Sequence, residues 1–155
     1  MAMACGFEVR AITLVAAPNS NGSTLINLPA YPTEVDHIKL ALLAAAGMAA
    51  EYLFCHRNRM ENVGSVGHCS DEEKCEVSLR KLGQGGHFHR YVKLACMVLQ
   101  PEPMWQQVTQ IVEMLKSVET VTDAGVIRSI ASNVPVLPES DLKIFRSAVS
   151  TNSIW

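Results

Sequence analysis

The sequence has few charged residues, few aromatic residues and almost no net charge. Charged residues make up 18% of its 155 residues, aromatic residues make up 6%, and the formal net charge is −2. A chain this close to neutral has no electrostatic basis for binding nucleic acid or an anionic membrane surface, so we expect neither partner. It also lacks the glycine-rich phosphate loop GxxxxGKS or GxxxxGKT, so we expect no nucleotide-binding module.

The cysteine pattern does not indicate a disulfide framework. Their number is odd, and no two of them have the spacing of a CxxC pair. The sequence therefore indicates neither a set of disulfides nor a cysteine zinc knuckle, and we expect reduced thiols in a cytoplasmic protein. The five are Cys5, Cys55, Cys69, Cys75 and Cys96.

Long hydrophobic runs are also missing. The longest apolar stretch covers residues 38–53 and is interrupted by Lys39 and Glu51. We interpret it as too short and too polar to span a bilayer. No basic segment precedes an apolar run at the N-terminus, so no secretory signal is predicted.

What is present predicts a mainly α domain with a small β hairpin near its N-terminus. Alternating and branched residues predict strands over 7–15 and 23–28, joined by turn residues at 18–22. The hydrophobic content of 48% is that of an ordinary globular protein. We expect one domain over residues 1–150 and a loose tail at 151–155.

Seven stretches of helical pattern account for most of the chain. Residues 1–5 look like the last turn of a helix that Gly6 closes. Thr33 and Asp36 form a capping box at the start of a buried central helix over about 33–56, and Ser70 with Glu73 does the same for a helix over about 70–82. Further helices are expected over 87–99, from Pro103 onward and over 123–132, and a last helix or turn is expected over 139–149.

The order of these pieces resembles the peptidase domain of FtsH-type zinc proteases. The segment FEVRAITL at 7–14 is similar to the strand that follows the family's metal helix, and LP at 28–29 is similar to the end of its hairpin. The segment GMAAE at 47–51 resembles the family's GRAAE, and GSVGHCSD at 64–71 resembles the loop that delivers an aspartate to the metal. The resemblance covers residues 6–82 well and the rest only through the order of helices.

The resemblance implies roles for two acidic residues. It places Asp71 at the position of the third zinc ligand and Glu51 at the position of an acid that supports the metal-site histidines from the second shell. Each residue also has an ordinary explanation. Asp71 would meet the positive end of a helix dipole, and Glu51 would be a solvated acid at a helix end.

The chain departs from the family at a decisive point. It contains no HExxH motif, since no two of its histidines are four residues apart, and it has no ATPase domain. A catalytic zinc needs three protein ligands, a bound water and a glutamate base. We therefore expect no peptide hydrolysis and no zinc bound by this chain as given.

Three interpretations remain open from the sequence. The first is an FtsH-like peptidase domain whose HExxH helix lies upstream in the full-length gene, with the peptide or protein substrates of the family. The second is a natural pseudo-peptidase that acts as a binding or assembly module, and the third is an unrelated helical domain. Under the first two, apolar surface on the hairpin and the long helix has no metal helix to cover it, so we expect a homo-oligomer.

Other chemistry-bearing residues have weaker patterns. On a helix, His87 and His89 would diverge, so we expect a surface helix start there rather than a metal pair. His68 and Cys69 are candidate ligands beside Asp71, and Cys69 is also a candidate reactive thiol. The remaining three are expected to be structural: His37 and His56 at the ends of the long helix, and Trp105 in core packing.

Overall fold

The computed structural model describes residues 1–15, 22–60 and 69–151, with only the backbone described for Cys69. Within these ranges the chain is mainly helical and has a small antiparallel sheet near its N-terminus, which confirms the predicted fold class. The elements are β1 (Val9–Thr13), β2 (Ser23–Ile26), α1 (Glu34–Arg57), α2 (Cys69–Lys81), α3 (Phe88–Leu99), α4 (Glu102–Val118), β3 (Thr120–Val121), α5 (Ala124–Ala131) and α6 (Glu139–Ser150).

The N-terminal residues form a helical turn that ends at Gly6, as the sequence predicted. The Gly6 N–H donates to the Met3 carbonyl at 2.9 Å, and the Phe7 N–H donates to the Ala2 carbonyl at 3.0 Å. Gly6 has φ +75, which a glycine adopts without steric penalty. This pair of bonds is the Schellman arrangement that closes helix ends. Residues 2–5 are buried in the core.

The sheet has the strand order β2-β1-β3. The predicted hairpin is confirmed: β1 pairs antiparallel with β2, from Val9 opposite Ile26 to Thr13 opposite Ser23, with a register shift between Val9 and Ala11. Both strands are shorter than predicted. Strand β1 begins after Phe7, whose N–H donates within the N-terminal turn rather than to the sheet. The third strand was not predicted, since two residues are too few to produce an alternating pattern.

The long helix α1 is the centre of the fold. Its predicted capping box is present: the Asp36 N–H donates to Thr33 Oγ1 at 3.2 Å, and the Thr33 N–H donates to Asp36 Oδ2 at 2.9 Å. The helix packs against α2, α3 and α6. Its inner face is fully buried, while Gly47 and Phe54 are exposed.

The neighbouring helices run in defined directions along α1. Gln84, just after α2, donates to the Arg146 carbonyl, and Arg146 in turn donates to Glu34 at the start of α1. The end of α2 therefore lies beside the start of α1, so the two helices are antiparallel. Arg57 at the end of α1 donates to the carbonyl of Gln100 just after α3, so α1 and α3 are parallel.

Several helix boundaries differ from the sequence prediction. Ser70 lies inside α2 rather than at its N-cap, because α2 already includes Cys69. Helix α1, predicted to end at about residue 56, extends to Arg57. Of the tail predicted at 151–155, Thr151 is the C-cap of α6, and residues 152–155 lie outside the described residues. Asp123 caps α5, and its Oδ1 accepts from the Val126 N–H at 2.8 Å.

Helix α1 also bears on the question of a membrane. It is 24 residues long, and an 18-residue window within it has a mean hydropathy of 1.6. By length and composition alone it is long enough to cross a bilayer, contrary to our interpretation of the sequence, and core helices of globular proteins pass the same test. The absence of a membrane span therefore stays a prediction.

Candidate functional site

Asp71 lies in the first turn of α2, as predicted. Its carboxylate accepts from Lys74 Nζ at 3.3 Å, and the side chain is 35% exposed. An ion pair this exposed contributes at most about 1 kcal/mol to stability. The position agrees with an acid that meets the positive end of the α2 dipole, and it leaves the carboxylate accessible to a further cation.

Glu51 lies in the last two turns of α1 and is half-buried. It has an interaction partner, so it is not a free surface residue. Because α1 and α2 are antiparallel, the start of α2 points toward the half of α1 that carries Glu51. The fold thus brings Asp71 and Glu51 to the same end of this helix pair.

The N-terminal turn and α2 contact the same turn of α1. The Cys5 thiol donates to the Lys39 carbonyl, with the sulfur 3.9 Å from the oxygen, and the Cys75 thiol donates to the Ala41 carbonyl at 3.5 Å. Asp71 is one helical turn before Cys75 on α2, so it lies on the same side of α2. Residues two apart lie on nearly opposite sides of a helix, so the N-terminal turn and α2 contact α1 at the same height but from different sides.

The thiols of this region are structural. Burial raises the pKa of the Cys5 thiol to about 11 and that of the Cys75 thiol to about 12. Burial also raises the pKa of Cys96, whose thiol donates to the Ala49 carbonyl at 3.7 Å. Three cysteines on three elements thus contact the α1 backbone in their neutral form, which makes them poor nucleophiles. The side chain of Cys69, the candidate reactive thiol, is outside the described residues.

The histidines are dispersed in the described part of the chain. His37 and His56 lie near the two ends of α1, as predicted, and His56 is exposed. His87 is the half-buried N-cap of α3, whereas His89 is exposed, so the predicted divergence of this pair is confirmed. His68 lies outside the described residues.

In the ranges 1–15, 22–60 and 69–151, no three side chains of His, Cys, Asp and Glu form a group that would hold a metal ion. The described residues alone therefore do not fit a zinc site.

A buried polar network beside α2 was missed by sequence reasoning. Tyr91, with no exposed surface, donates its hydroxyl to Gln84 Oε1 at 2.8 Å. Gln84 Nε2 donates to the Arg146 carbonyl at 2.9 Å and to Ser150 Oγ at 2.7 Å. Burial raises the pKa of Tyr91, so the phenol stays protonated and remains a donor. Gln84 sits between glycines, and this local pattern indicates only a helix break.

A second contact set joins α1 to the α3–α4 corner. Arg57 stacks over Trp105 with its guanidinium carbon 4.8 Å from the ring centroid, and it pairs with Glu102 at 3.1 Å. Trp105 is therefore a half-buried stacking partner of a cation rather than a fully buried core residue. A cation over a tryptophan ring contributes about 0.5–2 kcal/mol.

An apolar groove lies between the N-terminal turn, the sheet and α4. Its volume is about 130 Å³. Most of its lining is aliphatic or thioether carbon, and Gln107 and Thr24 supply the polar side chains. The other lining residues are Met1, Ala2, Met3, Val9, Ile12, Met104, Val108, Ile111 and Val134.

Comparisons of the chain with models of protein families, with curated proteins and with solved structures find no match. The assignment of function therefore depends on the residues and their geometry.

Proposed function

We propose that this chain is an FtsH-like zinc-peptidase scaffold that is inactive as a peptidase in these 155 residues. The scaffold keeps the aspartate at the position of the family's third ligand, Asp71, and the supporting acid, Glu51. It does not contain the two histidines and the glutamate base of an HExxH helix. Two of the three zinc ligands and the glutamate base are therefore missing. Peptide hydrolysis then has neither a bound zinc ion nor a side chain that activates the attacking water.

One observation carries this proposal. The described elements follow the order of the resemblance: a turn closed at Gly6, the hairpin β1–β2, α1 with Glu51 in its last two turns, and α2 with Asp71 in its first turn. A helix that ends in this N-terminal turn would directly precede the hairpin, as the family's HExxH helix does.

Zinc titration tests the proposal. The chain itself is expected to bind zinc weakly or not at all. A fusion protein in which a His-Glu-x-x-His helix continues directly into residues 1–5 is expected to bind zinc tightly, because the two histidines then lie one turn apart on one face. Isothermal titration calorimetry of both proteins measures the difference.

Variants of the fusion protein locate the third ligand. Asp71→Asn is expected to weaken zinc binding by more than about 100-fold, because an amide oxygen is a much poorer zinc ligand than a carboxylate. Glu51→Gln is expected to weaken zinc binding by about 10- to 100-fold, because Glu51 would support the ligands without touching the metal. Glu72→Gln is the matched control, since Glu72 is an exposed acid in the same first turn of α2. If Asp71→Asn binds zinc as tightly as its parent, or if Glu72→Gln weakens binding equally, the assignment of Asp71 is wrong.

A second function, that of a binding or assembly module, is favoured by the exposed apolar residues. Leu25 and Leu28 on the hairpin are 58% and 59% exposed, and Phe54 on α1 is 51% exposed. These are the two regions on which the sequence predicted uncovered apolar surface. We propose that they associate in a homo-oligomer.

Light scattering tests this association. The protein is expected to have at least twice the mass of one chain, and the double variant Leu25→Glu, Leu28→Glu is expected to be a monomer. Val77→Glu is the matched control, because Val77 on α2 is equally exposed at 58% and belongs to neither region. A monomeric parent at high concentration would contradict the proposal, as would an equal effect of Val77→Glu.

A further inference from the structure

Strand β2 is an edge strand of the sheet in the described part of the chain. The strand order β2-β1-β3 gives it one neighbour, β1. The N–H of Asn27, just after β2, donates to the Glu8 carbonyl at 3.0 Å, so Asn27 directs its backbone groups toward β1. Backbone groups alternate in direction along a strand, so Leu25 does the same, whereas Thr24 and Ile26 point their N–H and C=O groups away from β1.

The pairing on the other side of β1 agrees with this alternation. The Leu14 N–H donates at 2.8 Å to the carbonyl of Glu119, just before β3. Ile12, two residues before Leu14, lies opposite Val121 on β3 and therefore directs its own backbone groups toward β3. Ile12 is also the residue of β1 that lies opposite Thr24. The N–H and C=O of Thr24 thus remain on the open edge of β2.

This edge lacks the side chains that usually keep an edge strand from pairing with another chain. Residues 22–28 contain no charged residue and no proline. The first three residues of β2 are exposed. The register shift of the hairpin lies between Val9 and Ala11 on β1, so it leaves the open edge of β2 regular. An edge with these properties is a template for a further strand.

We propose that β2 pairs antiparallel with β2 of a second copy of this chain, around a two-fold axis at Leu25. Thr24 then lies opposite the partner's Ile26, and each of the two donates its N–H to the carbonyl of the other. Leu25 lies opposite the partner's Leu25 in a pair without mutual hydrogen bonds, where facing side chains approach most closely. This pairing rests on the homo-oligomer proposed above and identifies its interface.

A second copy suits this edge for three reasons. The uncharged segment meets its own copy without like-charge repulsion. The register at Leu25 brings together two side chains that are each 58% exposed in the single chain, and it places Leu28 opposite the partner's Gly22, which has no side chain to clash. The two-fold pairing uses both open β2 edges, so the assembly closes as a dimer. Below the dissociation constant each copy keeps its hairpin through β1, with Leu25 exposed.

Cross-linking tests the register. In the proposed dimer the two Cα atoms at position 25 are about 4.5 Å apart, a separation that a disulfide spans without backbone movement. Leu25→Cys is therefore expected to give mostly covalent dimer with diamide as oxidant, measured by non-reducing electrophoresis. Ser23→Cys is the matched control, because its two copies are four residues out of register and roughly 13 Å apart. The unaltered chain gives the background from the native cysteines.

A backbone substitution tests the hydrogen bonds. Thr24→Pro removes an N–H that points away from β1, so it removes one bond per copy from the dimer and none from the hairpin. We expect it to raise the dissociation constant of the dimer about 10-fold or more, as the loss of two hydrogen bonds predicts. Thr24→Val keeps the N–H and the shape of the side chain and should leave the dissociation constant almost unchanged. Analytical ultracentrifugation measures the constants, and circular dichroism checks that both variants are folded.

The outcomes separate this pairing from the association itself. A monomeric unaltered chain would overturn both. A dimeric chain in which Leu25→Cys cross-links no more than Ser23→Cys would overturn the β2 pairing and leave the association standing. Equal dissociation constants for folded Thr24→Pro and Thr24→Val would also overturn the pairing. If Thr24→Pro does not fold, the cross-linking comparison decides, since it leaves the backbone of the hairpin unaltered.

Discussion

The helical body and the N-terminal sheet are held together in different ways. The helices α1, α2, α3 and α6 enclose fully buried side chains such as Leu42, Leu79 and Tyr91. The sheet, by contrast, has a two-residue third strand and leaves Leu25 largely exposed. Both regions are rich in apolar residues, so apolar content alone does not decide which region contributes most to stability. Burial decides it.

The largest expected effect tests this difference directly. Leu79→Ala removes a side chain with no exposed surface, so it should lower the free energy of unfolding by about 2–5 kcal/mol. Leu25→Ala in the sheet is the matched change and should stay within about 0.5 kcal/mol. Urea denaturation followed by circular dichroism measures both values. Equal losses would show that the sheet is packed as tightly as the helical body.

The second-largest loss of stability is expected from a change in the buried polar network of Tyr91 and Gln84. Tyr91→Phe removes the hydroxyl that donates to Gln84 and leaves Gln84 Oε1 without that partner, at an expected cost of about 1–3 kcal/mol. Tyr52→Phe is the control, since Tyr52 is 42% exposed, and we expect almost no change there. The same denaturation experiment applies. If Tyr91→Phe leaves the free energy of unfolding unchanged, this network does not stabilise the contact between α3 and the loop after α2.

The capping box of α1 should have a smaller effect that depends on pH. Thr33→Ala removes the oxygen that accepts from the Asp36 N–H, which should cost about 1 kcal/mol. Hydrogen bonds from the Thr33 backbone lower the pKa of the Asp36 carboxyl in the folded state. Asp36 therefore contributes stability above its unfolded pKa of about 3.9, and this contribution is lost as the pH falls through the lower folded value.

Comparison with Asp36→Asn checks the sign of this effect. The stability difference between the parent and Asp36→Asn should be complete at neutral pH and should shrink below about pH 4. A difference that grows on acidification would contradict the assigned direction of the pKa.

The smallest expected effect lies at the edge of the sheet. Thr13 Oγ1 and Thr120 Oγ1 are 2.6 Å apart and link β1 to β3. Both groups are exposed, so water replaces the lost bond, and Thr120→Val should change the free energy of unfolding by about 0.5 kcal/mol or less. A loss as large as that of Tyr91→Phe would mean that β3 contributes far more than its two residues indicate.

Local features were predictable because their causes lie within a few residues. The capping box at Thr33, the turn closed at Gly6 and the N-cap at Asp123 each depend on one backbone donor and one nearby acceptor. The exception is α2, where Ser70 and Glu73 have the capping-box spacing although the helix already includes Cys69. Serine and glutamate three residues apart also occur inside helices, so this spacing alone does not show where a helix begins.

The candidate site was predictable only in part. The resemblance identified Asp71 and Glu51, and the structure places them toward the same end of the α1–α2 pair. Their role as ligand and supporting acid stays a prediction. Gln107 could not be selected from the sequence, because three glutamines occur on α4 and only the fold distinguishes the one in the groove.

By itself the sequence determined the helical class, the hairpin, most of the helix positions and the absence of an HExxH motif. These follow from local periodicity, turn residues and composition, which do not depend on distant parts of the chain. The tertiary structure alone decided which face of α1 is buried, that three thiols contact its carbonyls, that β3 completes the sheet and that Tyr91 reaches Gln84. Helix α1 is apolar nearly all round, so its own residues do not select a face. That selection comes from α2, α3 and α6, whose packing surfaces are far away in sequence and meet α1 only in the folded chain.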